Sequence, residues 1–190
     1  MDLVPSPSQT IGPFFHFALT ADEALGRLAG PSARGERIRL ACRVLDGDGA
    51  PVDDAMIELW QADAGGKYNH PDDAQDKAPD PAFRGFGRLS TNEDGVCVFE
   101  TVRPGRVPGC GGTLQAPHVN VSVFARGLLN RLVTRLYFAG DAANEDDPVL
   151  ALVSEDRRHT LMAHPEAGHR DLWNFEIHLC GERETVFFDV

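Results

Sequence analysis

The sequence predicts a mainly β protein: a two-layer β-sandwich with long loops, an N-terminal arm and short helices. Several short segments alternate apolar and polar residues, which is typical of half-buried strands. Turn signals rich in Asp, Asn and Gly separate these segments, and one long acidic loop interrupts them. The predicted strands span residues 38–45, 56–61, 83–90, 96–102, 118–125, 132–138, 172–180 and 184–188, and the last two are expected to pair across Gly181.

Two regions are predicted along the 190 residues. Residues 1–35 form an N-terminal arm and a short helix that contact a partner, and residues 36–190 form the sandwich domain. Prolines oppose regular helix in the arm, and its phenylalanines are too apolar to remain in water. The short helix is placed at residues 20–29 with Thr20 as its N-cap, and a second helix is placed at residues 155–163.

Composition excludes several classes of function. A formal net charge of −11 disfavours binding to nucleic acid, because the phosphate backbone is also negative. The four cysteines show no C-x-x-C spacing, which argues against a zinc ribbon or a dithiol redox motif. The first residues lack a basic segment followed by an apolar one, and no apolar run is long enough for a membrane span. We therefore expect a cytoplasmic protein.

Six short motifs follow one another in a fixed order along the chain and carry a family resemblance. Any one of them is a weak signal, and their shared order and spacing make the combination specific. Together they resemble the intradiol ring-cleavage dioxygenase family over about residues 5–190. The motifs are Glu58-Leu-Trp-Gln-Ala-Asp63 with Tyr68, Gly85-Phe-Gly-Arg88, Thr101-Val-Arg-Pro-Gly105, Ala116-Pro-His118-Val-Asn120, Thr134-Arg-Leu-Tyr-Phe138 and Glu184-Thr-Val-Phe-Phe188.

The resemblance implies a ferric ion held by two tyrosinates and two histidines in the catalytic chains of the family. Fe(III) favours anionic oxygen donors, and a His-x-His spacing puts both imidazoles on one face of a strand. Tyr68 and His118 match two of the four ligands. Val107 and Asn120 stand at the other two positions, and Gln115 replaces an arginine of the catalytic pattern, which removes a positive charge. We therefore predict a vestigial iron pocket and no metal bound by this chain.

Within the family, the opening segment and the string Phe124-Ala-Arg-Gly127 resemble the iron-free alpha chains of its two-chain members. This resemblance implies a beta chain that holds Fe(III), with protocatechuate and O2 as substrates and 3-carboxy-cis,cis-muconate as product. Such a reaction belongs to aromatic catabolism in the beta-ketoadipate pathway. A higher-order hetero-oligomer is implied, and this chain by itself is expected to supply no catalytic residue.

Four residues are predicted, from the same resemblance, to line the substrate pocket at the partner's iron. The planar guanidinium of Arg126 suits a carboxylate, and Thr10, Gly12 and Pro13 of the arm would shape the wall. Each also has a plain structural interpretation. Arg126 would then be a surface cation, and the arm residues a simple turn.

Two other functions stay open on the sequence. A self-sufficient dioxygenase would need replacement donors, for which Asp72, Asp73 and Asn120 are the candidates. A non-catalytic subunit that binds an aromatic ligand, or has a structural role only, would need no metal. Under either function Tyr68 could be an ordinary loop tyrosine and His118 an interior histidine.

Overall fold

The computed structural model describes residues 17 to 189, a range that holds ten β-strands. Strands predicted at residues 96–102 and 132–138 have the predicted bounds, and most others differ by a few residues at one end. The strands are β1 Arg37–Leu45, β2 Met56–Trp60, β3 Phe86–Ser90, β4 Val96–Val102, β5 Val107–Pro108, β6 Leu114–Gln115, β7 His118–Phe124, β8 Leu132–Phe138, β9 Met162–Glu166 and β10 His169–His178.

The helical segments are short. Five 3₁₀ helices span Glu23–Gly26, Cys110–Gly112, Ala142–Asp146, Leu150–Leu152 and Glu155–Leu161 in the described part of the chain. Residues 17–20, inside the predicted arm, are helical as well. Between residues 17 and 189, no helix is long and apolar enough to cross a membrane.

The helix predicted at residues 20–29 is shorter than expected, and Thr20 is not its cap. The N-cap is Asp22, whose carboxylate accepts a hydrogen bond from the backbone N–H of Ala24 at 3.0 Å. A short acidic side chain at the N-cap satisfies a backbone donor that the first helical turn leaves unpaired. Leu28 and Ala29, which follow this helix, are buried in the main core.

Eight strands form one hydrogen-bonded sheet in the order β3-β2-β7-β8-β9-β10-β1-β4, and β5 pairs with β6 separately. Strand β9 joins the two halves, because it pairs in parallel with β8 and antiparallel with β10. The sheet folds over on itself, so that β3-β2-β7-β8 faces β10-β1-β4 across a shared core. The predicted two-layer sandwich is confirmed.

The core lies between these two layers. Alternate residues of β1 and β7 are buried, because successive side chains of a strand point to opposite faces. Each fully buried aliphatic side chain contributes roughly 1.5–3 kcal/mol relative to the exposed state. The main core cluster includes Leu40, Val44, Leu59, Val121, Leu136 and Phe175.

The strand predicted at residues 184–188 is wrong. Thr185 donates its backbone N–H to the carbonyl of His178 at 2.9 Å, and Phe188 donates to the carbonyl of Val133 at 2.8 Å. The C-terminal segment thus crosses from one half of the sheet to the other. The Thr185 hydroxyl also accepts from the backbone N–H of His178 at 3.0 Å, and the carbonyl of Val186 accepts from the Thr134 hydroxyl at 2.7 Å. The apolar residues alternate here because Phe187 packs against the main core, whereas Val186 and Phe188 pack against a second buried cluster.

Candidate functional site

The five residues of the vestigial pocket come together at one end of the sandwich. Val107 on β5 and Gln115 on β6 are cross-strand neighbours. His118 and Asn120 lie two apart on β7, and Tyr68 reaches them from the long acidic loop. The Tyr68 hydroxyl lies 3.3 Å from Nε2 of His118 and 3.3 Å from Nδ2 of Asn120. The arrangement predicted from the motifs is therefore a real cluster.

The hydrogen bonds in this cluster fix the protonation of its members. Nδ1 of His118 lies 2.8 Å from the carbonyl oxygen of Ala116, and since a carbonyl only accepts, Nδ1 carries the proton. Nε2 is then an acceptor for the Tyr68 hydroxyl. The amide of Asn120 donates to the oxygen of the same hydroxyl. This network needs a neutral imidazole and a protonated phenol.

The electrostatic environment favours the same two forms. Burial first, and the positive charge of Arg135 second, lower the pKa of His118 to about 4. Burial also raises the pKa of Tyr68 above its ordinary value, although Asn120 and Arg135 act against that rise. A tyrosinate ligand would instead require the pKa of the phenol to be lowered, either by its surroundings in the free protein or by a strongly bound cation.

The donor set does not fit a ferric ion. Val107 is only 3% exposed and offers no donor atom where a ligand would be needed. The side-chain nitrogen of Asn120 donates a hydrogen bond to the Tyr68 hydroxyl. At the position where a metal ligand would offer a lone pair, this side chain therefore presents an N–H group. Over residues 17–189, no group of three or more His, Cys, Asp or Glu side chains is arranged to hold a metal.

The candidate replacement donors do not fill the gap. The Asp72 side chain is 91% exposed and faces His70 at 3.7 Å. Asp73 is only 7% exposed, and its carboxylate is engaged by Lys67 at 3.1 Å and by the backbone N–H of Tyr68 at 2.8 Å. The geometry gives no support to a self-sufficient metal site built on these residues.

The acidic loop that carries Tyr68 is held in place by Asp73 and Lys67. Lys67 also donates to the carbonyl of Gln75 at 2.9 Å, while Gln75 donates to Asp73 at 3.0 Å. Burial alone would raise the pKa of Asp73, but hydrogen bonds from Gln75, Tyr68 and Lys67 lower it to about 2. The buried ion pair therefore positions the backbone immediately before Tyr68.

A second buried carboxylate supports the strand that carries His118. Asp147 accepts from the backbone N–H of Ala116 at 2.7 Å and from the Tyr137 hydroxyl at 3.0 Å. It also accepts from the N–H groups of Val149 and Leu150 at 2.9 and 2.7 Å. Asp147 thus ties the start of β7 to β8 and to the helix at Leu150–Leu152, a link that the sequence did not indicate.

A cation that sequence reasoning missed lies in the same place. Arg135 on β8 is the register partner of Asn120 on β7. Its Nη1 donates to the side-chain oxygen of Gln115 at 2.6 Å. Gln115 itself carries no charge, and the neighbouring strand brings the guanidinium of Arg135 to its side chain. The only signal in the sequence was the position of Arg135 within the fifth motif.

The pocket opens into a cavity of about 680 Å³. Trp60 and Tyr68 stack on one side of it, with ring centroids 5.8 Å apart and an interplanar angle of 12°. His70 contacts Trp60 edge-on at 6.1 Å, and Val107 closes another side. An aromatic wall and a cavity of this size could accept a small ring.

Of the predicted substrate-binding residues, Arg126 lies away from the vestigial pocket. Arg126 follows the C-terminal end of β7, whereas His118 begins that strand. The Arg126 side chain is 71% exposed; its guanidinium contacts the carboxylate of Asp54 and lies 3.9 Å from that of Asp53. Arg126 and the vestigial pocket therefore lie at opposite ends of β7. Thr10, Gly12 and Pro13 lie outside the described residues.

Comparison with known proteins agrees with this fold. A family model described as a dioxygenase (Dioxygenase_C) matches residues 11–179. The protocatechuate 3,4-dioxygenase alpha chain of Pseudomonas putida is 42% identical over 203 residues, covering 100% of this chain and 98% of that relative. The protocatechuate 3,4-dioxygenase beta chain of Burkholderia cepacia is 38% identical over 158 residues, covering 80% of this chain and 67% of that relative.

A solved structure gives the same result. The dioxygenase domain of a dioxygenase carbohydrate-binding protein fusion from Streptomyces sp. SirexAA-E is 26% identical, with a TM-score of 0.62. The match covers 94% of this chain and 99% of that chain. Fold and site together define a β-sandwich of the dioxygenase class. The chain belongs to the intradiol dioxygenase family, which uses non-haem iron.

Proposed function

We propose that this chain is the iron-free alpha subunit of a heteromeric protocatechuate 3,4-dioxygenase. The complex opens protocatechuate with O2 between its hydroxyl-bearing carbons and yields 3-carboxy-cis,cis-muconate. Ring cleavage takes place at ferric iron held by a beta chain. This chain supplies part of the substrate pocket and binds no metal of its own.

The match to an alpha chain along the full length of both proteins carries the proposal. Similarity to a beta chain covers less of both chains, as expected if the two subunits share a fold and have diverged in their sites. The hydrogen bonds around Tyr68 support the same division of roles, because they satisfy a neutral phenol and a neutral imidazole. Val107 and Asn120 leave half of the ligand set without suitable donors.

The share of this chain in the reaction is binding and orientation of the substrate. The exposed Arg126 guanidinium can pair with the carboxylate of protocatechuate at the partner's iron, after it leaves Asp54. Thr10, Gly12 and Pro13 of the arm form part of the pocket wall, and residues 1–35 contact the beta chain. Close to the substrate, the positive charge of Arg126 also outweighs the repulsion from the acidic surface of the chain, because salt screens the more distant charges.

Co-expression with a beta chain tests the proposal. The full chain is purified alone and with its partner, and iron per chain, tyrosinate-to-iron absorption and consumption of protocatechuate are measured. We expect the chain alone to be colourless, iron-free and inactive, and the pair to be coloured and active. Stoichiometric iron and ring cleavage by the chain alone would show that it has another metal site. A stable pair whose activity equals that of the beta chain alone would leave it a structural role only.

A further inference from the structure

We propose that a cavity on the outer face of the β10-β1-β4 layer binds a small oxyanion with two or more negative charges, such as a tricarboxylate or a phosphate. The cavity has a volume of about 470 Å³ and shares no lining residue with the vestigial pocket. Its basic side chains are Arg43, His159, His164, His178 and Arg183. The proposal concerns residues of this chain only and does not depend on its subunit role.

The strand register explains why a hollow forms at this place. Successive side chains of β1 point to opposite faces, so Leu40 enters the core and Ala41 faces outward. Ala41 pairs with Asn174 of β10, which in turn pairs with His164 of β9. The single methyl group of Ala41 leaves a low floor between its neighbours, and the longer side chains around it form the walls of the cavity.

Both arginines of the cavity keep hydrogen-bonding capacity for a ligand. Arg43 donates from Nε to the carbonyl of Asp94 at 3.3 Å, and its Nη1 lies 3.9 Å from the carboxylate of Glu176. Arg183 makes no hydrogen bond or ion pair with another of the described residues. A guanidinium presents five N–H donors in a planar fork that matches the oxygens of a carboxylate or a phosphate. Both side chains therefore have donors left for an oxyanion.

His178 is the buried polar group of the cavity. Its side chain is only 9% exposed, Nε2 lies 3.5 Å from the carboxylate of Glu176, and Nδ1 has no hydrogen-bond partner in the described part of the chain. Buried polar atoms normally have a partner, so this nitrogen in a lining residue indicates a place for one. The main chain that carries the imidazole is fixed, because its N–H donates to the Thr185 hydroxyl at 3.0 Å.

One carboxylate lines the cavity and competes with a ligand. Glu176 lies between Arg43 and His178, at distances of 3.9 and 3.5 Å that exceed those of ordinary hydrogen bonds. Its side chain is 51% exposed, so it can turn toward water when an oxyanion takes its place. With neutral histidines, two arginines and one glutamate leave the lining with a formal charge of +1, on a chain whose net charge is −11. The cavity is therefore locally basic on an acidic protein.

The other carboxylates near the cavity lie toward one end of it or contact it through the backbone. Glu166 accepts a hydrogen bond from Asn174, and His178 follows four residues later on β10, about 13 Å further along the strand. Salt screens exposed charges over about 8 Å at physiological ionic strength. Asp94 and Asp156 contact lining residues through their backbone carbonyls. We therefore place the ligand at the end of the cavity that carries His178.

Isothermal titration calorimetry of the full chain, in dilute buffer without multivalent anions, tests the proposal. Tricarballylate is the carboxylate probe, because the product of the proposed reaction also carries three carboxylates, and inorganic phosphate is the phosphate probe. The variants are Arg43→Gln, Arg183→Gln and Glu176→Gln. Arg170→Gln is the matched control, because it removes the same charge from an exposed residue of β10 that does not line the cavity. Circular dichroism confirms the fold of each variant.

We expect a single saturable site for at least one probe, and the probe that binds more tightly identifies whether carboxylates or phosphates are the better ligands. Arg43→Gln and Arg183→Gln should each raise the Kd at least about five-fold, and Glu176→Gln should lower it at least about two-fold, because a competing carboxylate is lost. Arg170→Gln should change the Kd by less than about two-fold, since salt screens distant charges. The proposal is overturned if neither probe saturates below about 10 mM, or if Arg43→Gln and Arg170→Gln act alike, which would mean an adventitious ion only.

Nuclear magnetic resonance on the natural chain locates the bound probe without any change of charge. The imidazole signals of His178, assigned by their loss in His178→Gln, should shift as the probe is added. Those of His70, which contacts Trp60 and does not line the cavity, should stay in place. Shifts of equal size at the two histidines, or no shift at His178, would show that the probe does not bind in this cavity.

Discussion

The hydroxyl of Tyr68 lies 3.3 Å from Nε2 of His118, so the two side chains predicted to match iron ligands of the family bond to each other. Each satisfies part of the other's hydrogen-bonding capacity without a metal. Asn120 completes the network by donating to the Tyr68 oxygen. These three side chains thus form a hydrogen-bonded network of neutral groups, which leads to measurable consequences for pH and for substitution.

The neutral state of His118 makes the protein less stable in mild acid. The pKa falls from the ordinary value of 6.5 to about 4 on folding, mainly because of burial. The unfolded chain therefore binds a proton between these two values that the folded chain does not. Stability is full above pH 6.5 and declines as the pH falls toward 4. For this group we expect a loss of about 2 kcal/mol between pH 7.5 and pH 5.

Urea unfolding at the two pH values, compared between the natural chain and His118→Gln, measures this contribution. The variant should be less stable at pH 7.5 but should lose less stability on acidification. His164→Gln is the control, because His164 is exposed. An equal loss of stability in the natural chain and in His118→Gln would contradict the assignment of a buried, neutral His118.

Asp73→Asn should loosen the loop that carries Tyr68. The change removes the charge that pairs with Lys67 and weakens the bond to the Tyr68 N–H, which we expect to cost about 1–3 kcal/mol in the free energy of unfolding at pH 7. Because folding lowers the pKa of Asp73 to about 2, its contribution is present above its ordinary pKa of 3.8 and lost as the pH falls through 2. Asp72→Asn, on an exposed neighbour, should change stability by less than about 0.5 kcal/mol. Matching values for the two variants would refute the anchoring role.

Asp147→Asn should be one of the more destabilising substitutions in the chain. An amide of the same shape keeps one acceptor oxygen but turns an N–H group toward backbone donors, so about 2–4 kcal/mol should be lost. The adjacent Asp146→Asn is the control, since Asp146 is exposed. Chemical denaturation with tryptophan fluorescence compares the two. A loss below about 1 kcal/mol would mean that water takes over the bonds made by Asp147.

Arg126→Ala in the assembled enzyme should raise KM for protocatechuate by at least about ten-fold, the value expected when a carboxylate loses a charged hydrogen-bond partner. KM for catechol, which has no carboxylate, should change little. Asp54→Asn is an informative companion, because it removes the carboxylate that holds Arg126 in the free chain and should lower KM for protocatechuate. Steady-state kinetics on both substrates decide the matter, and equal effects of Arg126→Ala on the two would exclude the role.

The strands of this protein could be predicted from sequence because their signals are local. Alternation along β4 and the turn before it depend on neighbouring residues, and β4 and β8 both have the predicted bounds. The spacing of Tyr68, Val107, Gln115, His118 and Asn120 within ordered motifs was also sufficient to predict that they form one pocket. The apolar alternation at residues 184–188 was misleading, because it reflects packing across two halves of the sheet.

By itself, then, the sequence determined the sandwich class, the family resemblance and the two ligand positions without suitable donors. Only the tertiary structure decided that Arg135 enters the pocket from β8, that Asp147 supports β7, and that Arg126 lies at the far end of β7 paired with Asp54. The physical reason is that these relations join residues far apart in the chain. Their pairing follows from strand register and from the packing of the folded sheet, and no local periodicity encodes it.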